Sequence, residues 1–149
     1  MARLQRWLDA GALRPHRASA GEVRDLFAVA ARDIADAGVT QLSLDRRFAT
    51  AYGAALQLAT VVIAASGFRV AAQRGHHTVT WQVLPELMGE GAGETAVYFE
   101  SCRALRNRSD YDRVGVATRA DVEEIMHETV TLRDTVLAWL QSRHPKLVP

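Results

Sequence analysis

The chain is short of several things, and each shortage removes a class of protein. It has a single cysteine, Cys102, which cannot close an internal disulfide, so a disulfide scaffold is excluded. It has almost no net charge, formally +1, so a general affinity for polyanions is not built into the whole surface, and nucleic-acid binding needs a local patch. It has one lysine, Lys146; the other basic side chains are arginines, a compositional habit in an alanine-rich chain that signals nothing until arginines cluster. It lacks a long uninterrupted apolar run: the strongest, Ala54 to Ser66, contains Gln57 and is shorter than the roughly 20 residues that span a bilayer. Its first residues, Met-Ala-Arg-Leu-Gln-Arg-Trp, carry neither the apolar core nor the small-residue cleavage site of a secretory signal, so a cytoplasmic location without membrane association is expected. No zinc-ligand spacing, phosphate-binding glycine loop or nucleophile elbow occurs, and no metal or cofactor is expected.

What remains is a chain of 149 residues, 48% apolar and 23% charged, enough for one globular domain spanning 1–149. Val23, Leu26, Phe27, Ala30, Ile34 and Ala37 recur at helical steps behind the cap Ser19 and Glu22, which predicts a helix from about Ala20 to Ala37, stopped at Gly38. Ser43 caps a second run, Leu44, Phe48, Ala51, Tyr52, Ala55, Leu58, Ala59 and Val62, ending near Gly67. With Leu56, Val61 and Ile63 on its other side it is apolar nearly all round, the pattern of a central buried helix. Val79, Val83, Leu84, Leu87 and Met88 suit a short helix that Pro85 kinks. After a turn at Gly89, Gly91 and Gly93, a helix carries Ala96, Val97, Phe99, Cys102 and Leu105 inward. Thr118 and Asp121 cap a long last helix running to about Ser142. With a helical turn near Leu4 to Leu8 and no alternating strand pattern, the fold is an all-α, up-and-down bundle of four to five helices.

One segment is out of keeping with core packing. Along 102–113, Arg103, Arg106, Arg108 and Arg113 face Asp110 and Asp112, a local excess of two positive charges. Arg103, Asn107 and Asp110 or Tyr111 share a stripe, and Arg106 and Asp110 have ion-pair spacing. Spacing leaves two readings open: a solvated helix end, or a stripe facing a phosphate.

Elsewhere the bland reading leads. His76 and His77 are adjacent, so on a helix they diverge by about 100° and cannot form an i, i+4 metal pair; they start the third helix or lie in the loop before it. Glu124, His127 and Glu128 form a solvated face rather than a metal site. Cys102 is a core thiol, although the nearby arginines would favour its thiolate. Tyr52 is a core tyrosine whose hydroxyl needs a partner, such as Asp110. Trp7, Trp81 and Trp139 are dispersed packing anchors.

Three features give the chain a family likeness: Phe48-Ala-Thr-Ala-Tyr-Gly-Ala-Ala-Leu on the second helix, Ala64-Ala-Ser-Gly-Phe-Arg69 with the nearby Gly75-His-His77, and Arg106-Asn-Arg-Ser-Asp-Tyr111. Over roughly 20–142 the chain resembles the HEPN family, helical bundles of prokaryotic defence, toxin-antitoxin and RNA-processing systems. In the nuclease members an Arg and a polar residue are followed by a His four to six positions after the Arg; Arg106 and Asn107 match the start, and Tyr111 stands near the place of the His. The resemblance implies a homodimer that brings two copies of the segment into one cleft for RNA or a nucleotide. There Arg103, Arg106 and Arg108 would hold phosphate and Asn107 would orient it. In a metal-independent ribonuclease, with the ribose 2'-OH attacking phosphorus, Asp110 or Tyr111 would move the protons; an unperturbed tyrosine is a poor base at pH 7. The alternative is a non-catalytic interaction module that dimerises or docks a partner such as a nucleotidyltransferase.

Overall fold

A computed structural model describes residues 2–72, 74–108 and 114–149. The described residues form six helices: α1 (Ala2–Asp9), α2 (Ala20–Ala37), α3 (Leu44–Ala65), α4 (His76–Met88), α5 (Gly93–Asn107) and α6 (Arg119–Arg143). Two three-residue strands, β1 (Leu13–Pro15) and β2 (Phe68–Val70), pair antiparallel. This ribbon is a departure from the strand-free expectation. Three residues are too few to show a period-two pattern, and the pairing joins segments far apart in sequence.

The caps work as the sequence indicates. Ser19 Oγ accepts from Glu22 N, and Ser43 Oγ accepts from Arg46 N. Thr118 and Asp121 form a reciprocal capping box, so aspartate serves where glutamate is usual. The two helix-ending glycines act differently. Gly38 stays right-handed, and its value is room: an added Cβ would lie 3.3 Å from the Ala35 carbonyl oxygen and 3.7 Å from Met126 Cε. Gly67 adopts φ +95°, a left-handed turn that only glycine takes freely, and it redirects the chain from α3 into β2. Pro85 sits in the last turn of α4, where it withholds only the N–H that would reach the Trp81 carbonyl, so the helix continues to Met88. The turn after it is a short 3-10 segment, Glu90–Ala92, leading directly into α5.

α3 is the axis of the bundle. Its faces are covered by α2, α6, α4 and α5, and Tyr52, Ala54, Ala55, Leu58, Ala59, Val61 and Val62 are all within 1% of complete burial. By length and composition this helix could cross a bilayer, with a mean hydropathy of 1.6. Here 61% of its most apolar stretch is buried against the rest of the bundle, the behaviour of a core helix. Arg47 fixes the α2–α3 corner by donating from Nε to the Ala37 carbonyl at 2.8 Å. Asp45, in the first turn of α3, accepts from the backbone N–H groups of Gly115 and Ala117, and these bonds hold its carboxyl below the usual range. A smaller core of Leu13, Ile63, Val79 and Val83, flanked by Trp7 and Phe68, seats α1 and the ribbon beside the start of α4.

Candidate functional site around Tyr52 and His77

The site starts from a tyrosine that the core has swallowed. Tyr52 is 1% exposed, on the face of α3 that meets α4 and α5. Its hydroxyl oxygen accepts from Trp81 Nε1 at 3.0 Å and lies 3.3 Å from His77 Nδ1. Indole nitrogen only donates, so the tyrosine's own proton needs a different acceptor, and the imidazole Nδ1 is the one the described residues supply. By this hydrogen-bond argument the neutral His77 ring carries its proton on Nε2. Burial raises the Tyr52 pKa to about 12, outweighing the Trp81 hydrogen bond and the arginine charges, which lower it, so the hydroxyl keeps its proton at neutral pH. Trp81 is held in turn by stacking on Phe99 of α5 at 4.9 Å.

α5 brings the arginines. The Arg106 guanidinium carbon lies 5.9 Å from the centre of the Tyr52 ring, at the outer reach of a cation–π contact. Arg103 donates through Nε and Nη2 to Glu100 Oε1 at 2.9 and 2.8 Å, and Thr78 Oγ1 donates to the same oxygen at 3.1 Å. Glu100 thus orients Arg103 and ties α5 to the first turn of α4. The half-buried His77 is held below the ordinary histidine pKa of 6.5, first by burial, then by the positive charges of Arg106, His76 and Arg103. One end of the α4–α5 pair therefore brings a neutral imidazole into the field of two guanidinium groups, a combination of donors suited to phosphate oxygens.

Of the expected residues, Arg103 and Arg106 meet at this cluster. Asn107 is the last residue of α5, and its side-chain oxygen accepts from Arg106 Nη1 at 3.4 Å. Arg108 is exposed and borders a separate pocket of about 280 Å³ with Leu105, Val114, Gly115 and Val116. Asp110 and Tyr111 lie outside the described residues. His77 enters in a place that no spacing within α5 could reveal, because it comes from the start of another helix. Tyr52 finds its partners in His77 and Trp81. Cys102 is a core thiol as expected, but its acidity is opposite to the expectation: burial pushes its pKa up to about 11, and Tyr98, Ser101 and the Glu124 carboxylate surround it rather than the arginines. Val97, assigned to the core face of α5, is 73% exposed. His127 and Glu124 are exposed, and no metal-holding group of three acidic, histidine or cysteine side chains occurs among the described residues. A cavity of about 390 Å³ between α6 and the α4–α5 turn, walled by Met88, Glu128, Leu132 and Trp139, shares no residue with the cluster.

Comparison with known families matches residues 39–137 to the SAV_6107-like HEPN family. The chain belongs to this HEPN family. The matched region runs from the turn before α3 to the last part of α6, so it includes Tyr52, His77, Trp81, Glu100, Arg103 and Arg106. No curated protein and no solved structure matches the chain. The HEPN assignment accords with the helical bundle built on α3 through α6, and with the likeness read from Phe48-Ala-Thr-Ala-Tyr-Gly and Arg106-Asn.

Proposed function

We propose that this HEPN protein binds RNA, with Arg103, Arg106 and the Nε2–H of His77 as donors to a phosphodiester, and that at neutral pH the site grips more readily than it cuts. The observation that carries this reading is the bond chain Trp81 to Tyr52 to His77. It orients the imidazole, with its proton on Nε2, while burial and the charges of Arg106 and Arg103 hold the ring neutral. In metal-independent cleavage a base must take the 2'-OH proton as that oxygen attacks phosphorus. His77 Nε2 holds a proton in this arrangement, and Nδ1 is occupied by Tyr52, so the base role requires the Tyr52 hydroxyl to turn away first. Binding has no such requirement.

The reading includes a homodimer through the α4–α5 groove. That groove, about 360 Å³ and lined by Trp81, Pro85, Ala96, Val97 and Glu100, is almost wholly apolar. Beside it Glu100 Oε2 is shut off from solvent with no hydrogen-bond partner among the described residues. A second copy seated there would cover Val97 and bring the two arginine clusters together.

The test is a labelled mixed-sequence RNA incubated with the purified protein in chelator, with binding followed by anisotropy and cleavage by gel. Salt-sensitive binding that falls at least about tenfold in Arg106→Ala and weakens in His77→Gln, with the RNA left intact, is the expected result. Cleavage by wild type that disappears in Arg106→Ala would replace the binding reading with a nuclease. Absence of binding by a folded protein would leave an interaction module.

A further inference from the structure

The ribbon carries an arrangement that stability alone does not favour. His16 N donates to the Gly67 carbonyl and Ala71 N donates to the Ala12 carbonyl, so the pairs 16–67 and 12–71 are hydrogen-bonded ones, and Arg14 with Arg69, midway between them, is the third. Two arginines therefore stand directly opposite each other, on the face away from Leu13 and Val70, and both are exposed. Like charges at that separation repel. Neither has a salt bridge among the described residues, and the same holds for the exposed Arg17 and Arg74 that flank the strands. The two segments that meet here, 10–18 and 66–78, contain Arg14, Arg17, Arg69 and Arg74 and not one Asp or Glu. In a chain whose net charge is only +1, Arg14 and Arg69 face each other on the ribbon with Arg17 and Arg74 beyond its two ends, and none of the four has an ion pair among the described residues. Glu22, the carboxylate that borders this surface, is engaged by His16 Nε2 at 2.8 Å.

The patch also adjoins the cluster described above. Arg69, Val70 and His76 line one shallow pocket, and the next residue, His77, is the one bonded to Tyr52. The His76 and His77 rings are 6.2 Å apart. A strand whose phosphate lies at His77 and Arg106 thus has a basic path onward over His76 to Arg69 and Arg14.

We propose that the β1–β2 ribbon is a second phosphate-contact surface, so that the ligand is an RNA strand spanning several phosphates rather than a mononucleotide. This rests on the RNA reading of the α4–α5 site. It goes beyond that reading in assigning a phosphate contact to Arg14, which lies outside the family match, and to Arg69 facing it, and in fixing the length of the ligand. An anionic lipid surface has the same charge but is the poorer fit. Of the large exposed apolar side chains, Val39, Leu42, Val97 and Val114, none lies in the ribbon, so nothing there would insert between lipids.

The experiment compares wild type, the double variant Arg14→Gln/Arg69→Gln and Arg106→Gln, each titrated against a fluorescent 12-nucleotide uridylate and against a uridine dinucleotide over a range of KCl in chelator. Loss of two contacts to a single strand should reduce the salt slope by about 1.4, which is roughly 10- to 25-fold in affinity for the 12-mer at 0.1 M salt. Dinucleotide binding should be unchanged in the double variant, and thermal stability should be equal or higher once the facing charges are gone, which separates lost binding from lost folding. Arg106→Gln should weaken both ligands. A double variant with the wild-type affinity and slope for the 12-mer, alongside a weakened Arg106→Gln, overturns the ribbon proposal and leaves the α4–α5 reading standing. The opposite pattern, a weakened double variant with Arg106→Gln unaffected, overturns the α4–α5 reading and with it the ribbon's place as a second contact, leaving the ribbon as the sole phosphate surface. Wild type that binds neither RNA overturns both. Vesicles of phosphatidylserine and phosphatidylcholine that bind wild type as tightly as the 12-mer does overturn the ribbon proposal in favour of a lipid surface.

Discussion

At the residue scale the site depends on where one proton is kept. Tyr52 looks like core from sequence, and it is core, yet its hydroxyl is the link between an indole donor and an imidazole acceptor. His77 in turn has a folded-state pKa below the 6.5 of an unfolded chain, because burial and the neighbouring arginines disfavour its charged form. The sign of the linkage follows. Above pH 6.5 the ring is neutral in both states and costs nothing; as pH falls below 6.5 the unfolded chain takes up the proton first, and folding becomes less favourable until the folded pKa is passed. Urea midpoints should therefore fall between pH 7.5 and 5.5, and His77→Gln should flatten part of that fall; equal slopes in the two proteins would contradict it. The arginine half of the cluster was legible in the sequence, since Arg103 and Arg106 lie on one helix at a known spacing. The histidine half was not, because α4 and α5 meet only through packing, and a periodicity scan does not cross from one helix to another. Cys102 shows the same limit: sequence proximity to Arg103 suggested a thiolate, while its direction in the fold places it in the core.

At the element scale, ends were read better than faces. The limits of α2 and the caps of α2, α3 and α6 match what serine, threonine and glycine positions indicate, since a cap is a local bond between neighbours. The box at Thr118 should be worth about 1 kcal/mol: Thr118→Ala is expected to lower unfolding stability by roughly that amount, while Thr118→Asp, which keeps an acceptor at the N-cap, should lose much less. Equal losses in chemical denaturation would show that the hydroxyl acts through packing instead. Faces depend on neighbours. Val97 satisfies the apolar rhythm of α5 but stands in solvent, and Pro85 falls late enough in α4 for the helix to run on to Met88. The ribbon was invisible for a physical reason: its two strands are too short to signal themselves, and their pairing is decided by Leu13 packing against Ile63, Val79 and Val83.

At the scale of the whole molecule, α3 organises everything else, and the exposed α4–α5 groove is where its order stops. If a second copy covers that groove, wild type should have twice the monomer mass by light scattering, and Val97→Asp should shift it toward the monomer mass with its helical content intact; a monomeric wild type would rule that interface out. The sequence by itself determined the fold class, the central helix and the HEPN likeness, because these rest on hydrophobic period, capping chemistry and short motifs carried within single segments. Only the tertiary structure decided which side chains share a site. Tyr52, His77, Trp81, Glu100 and Arg106 come from three helices, and Arg14 meets Arg69 across a ribbon, so their meeting is a product of close packing between distant segments, which no one-dimensional spacing records.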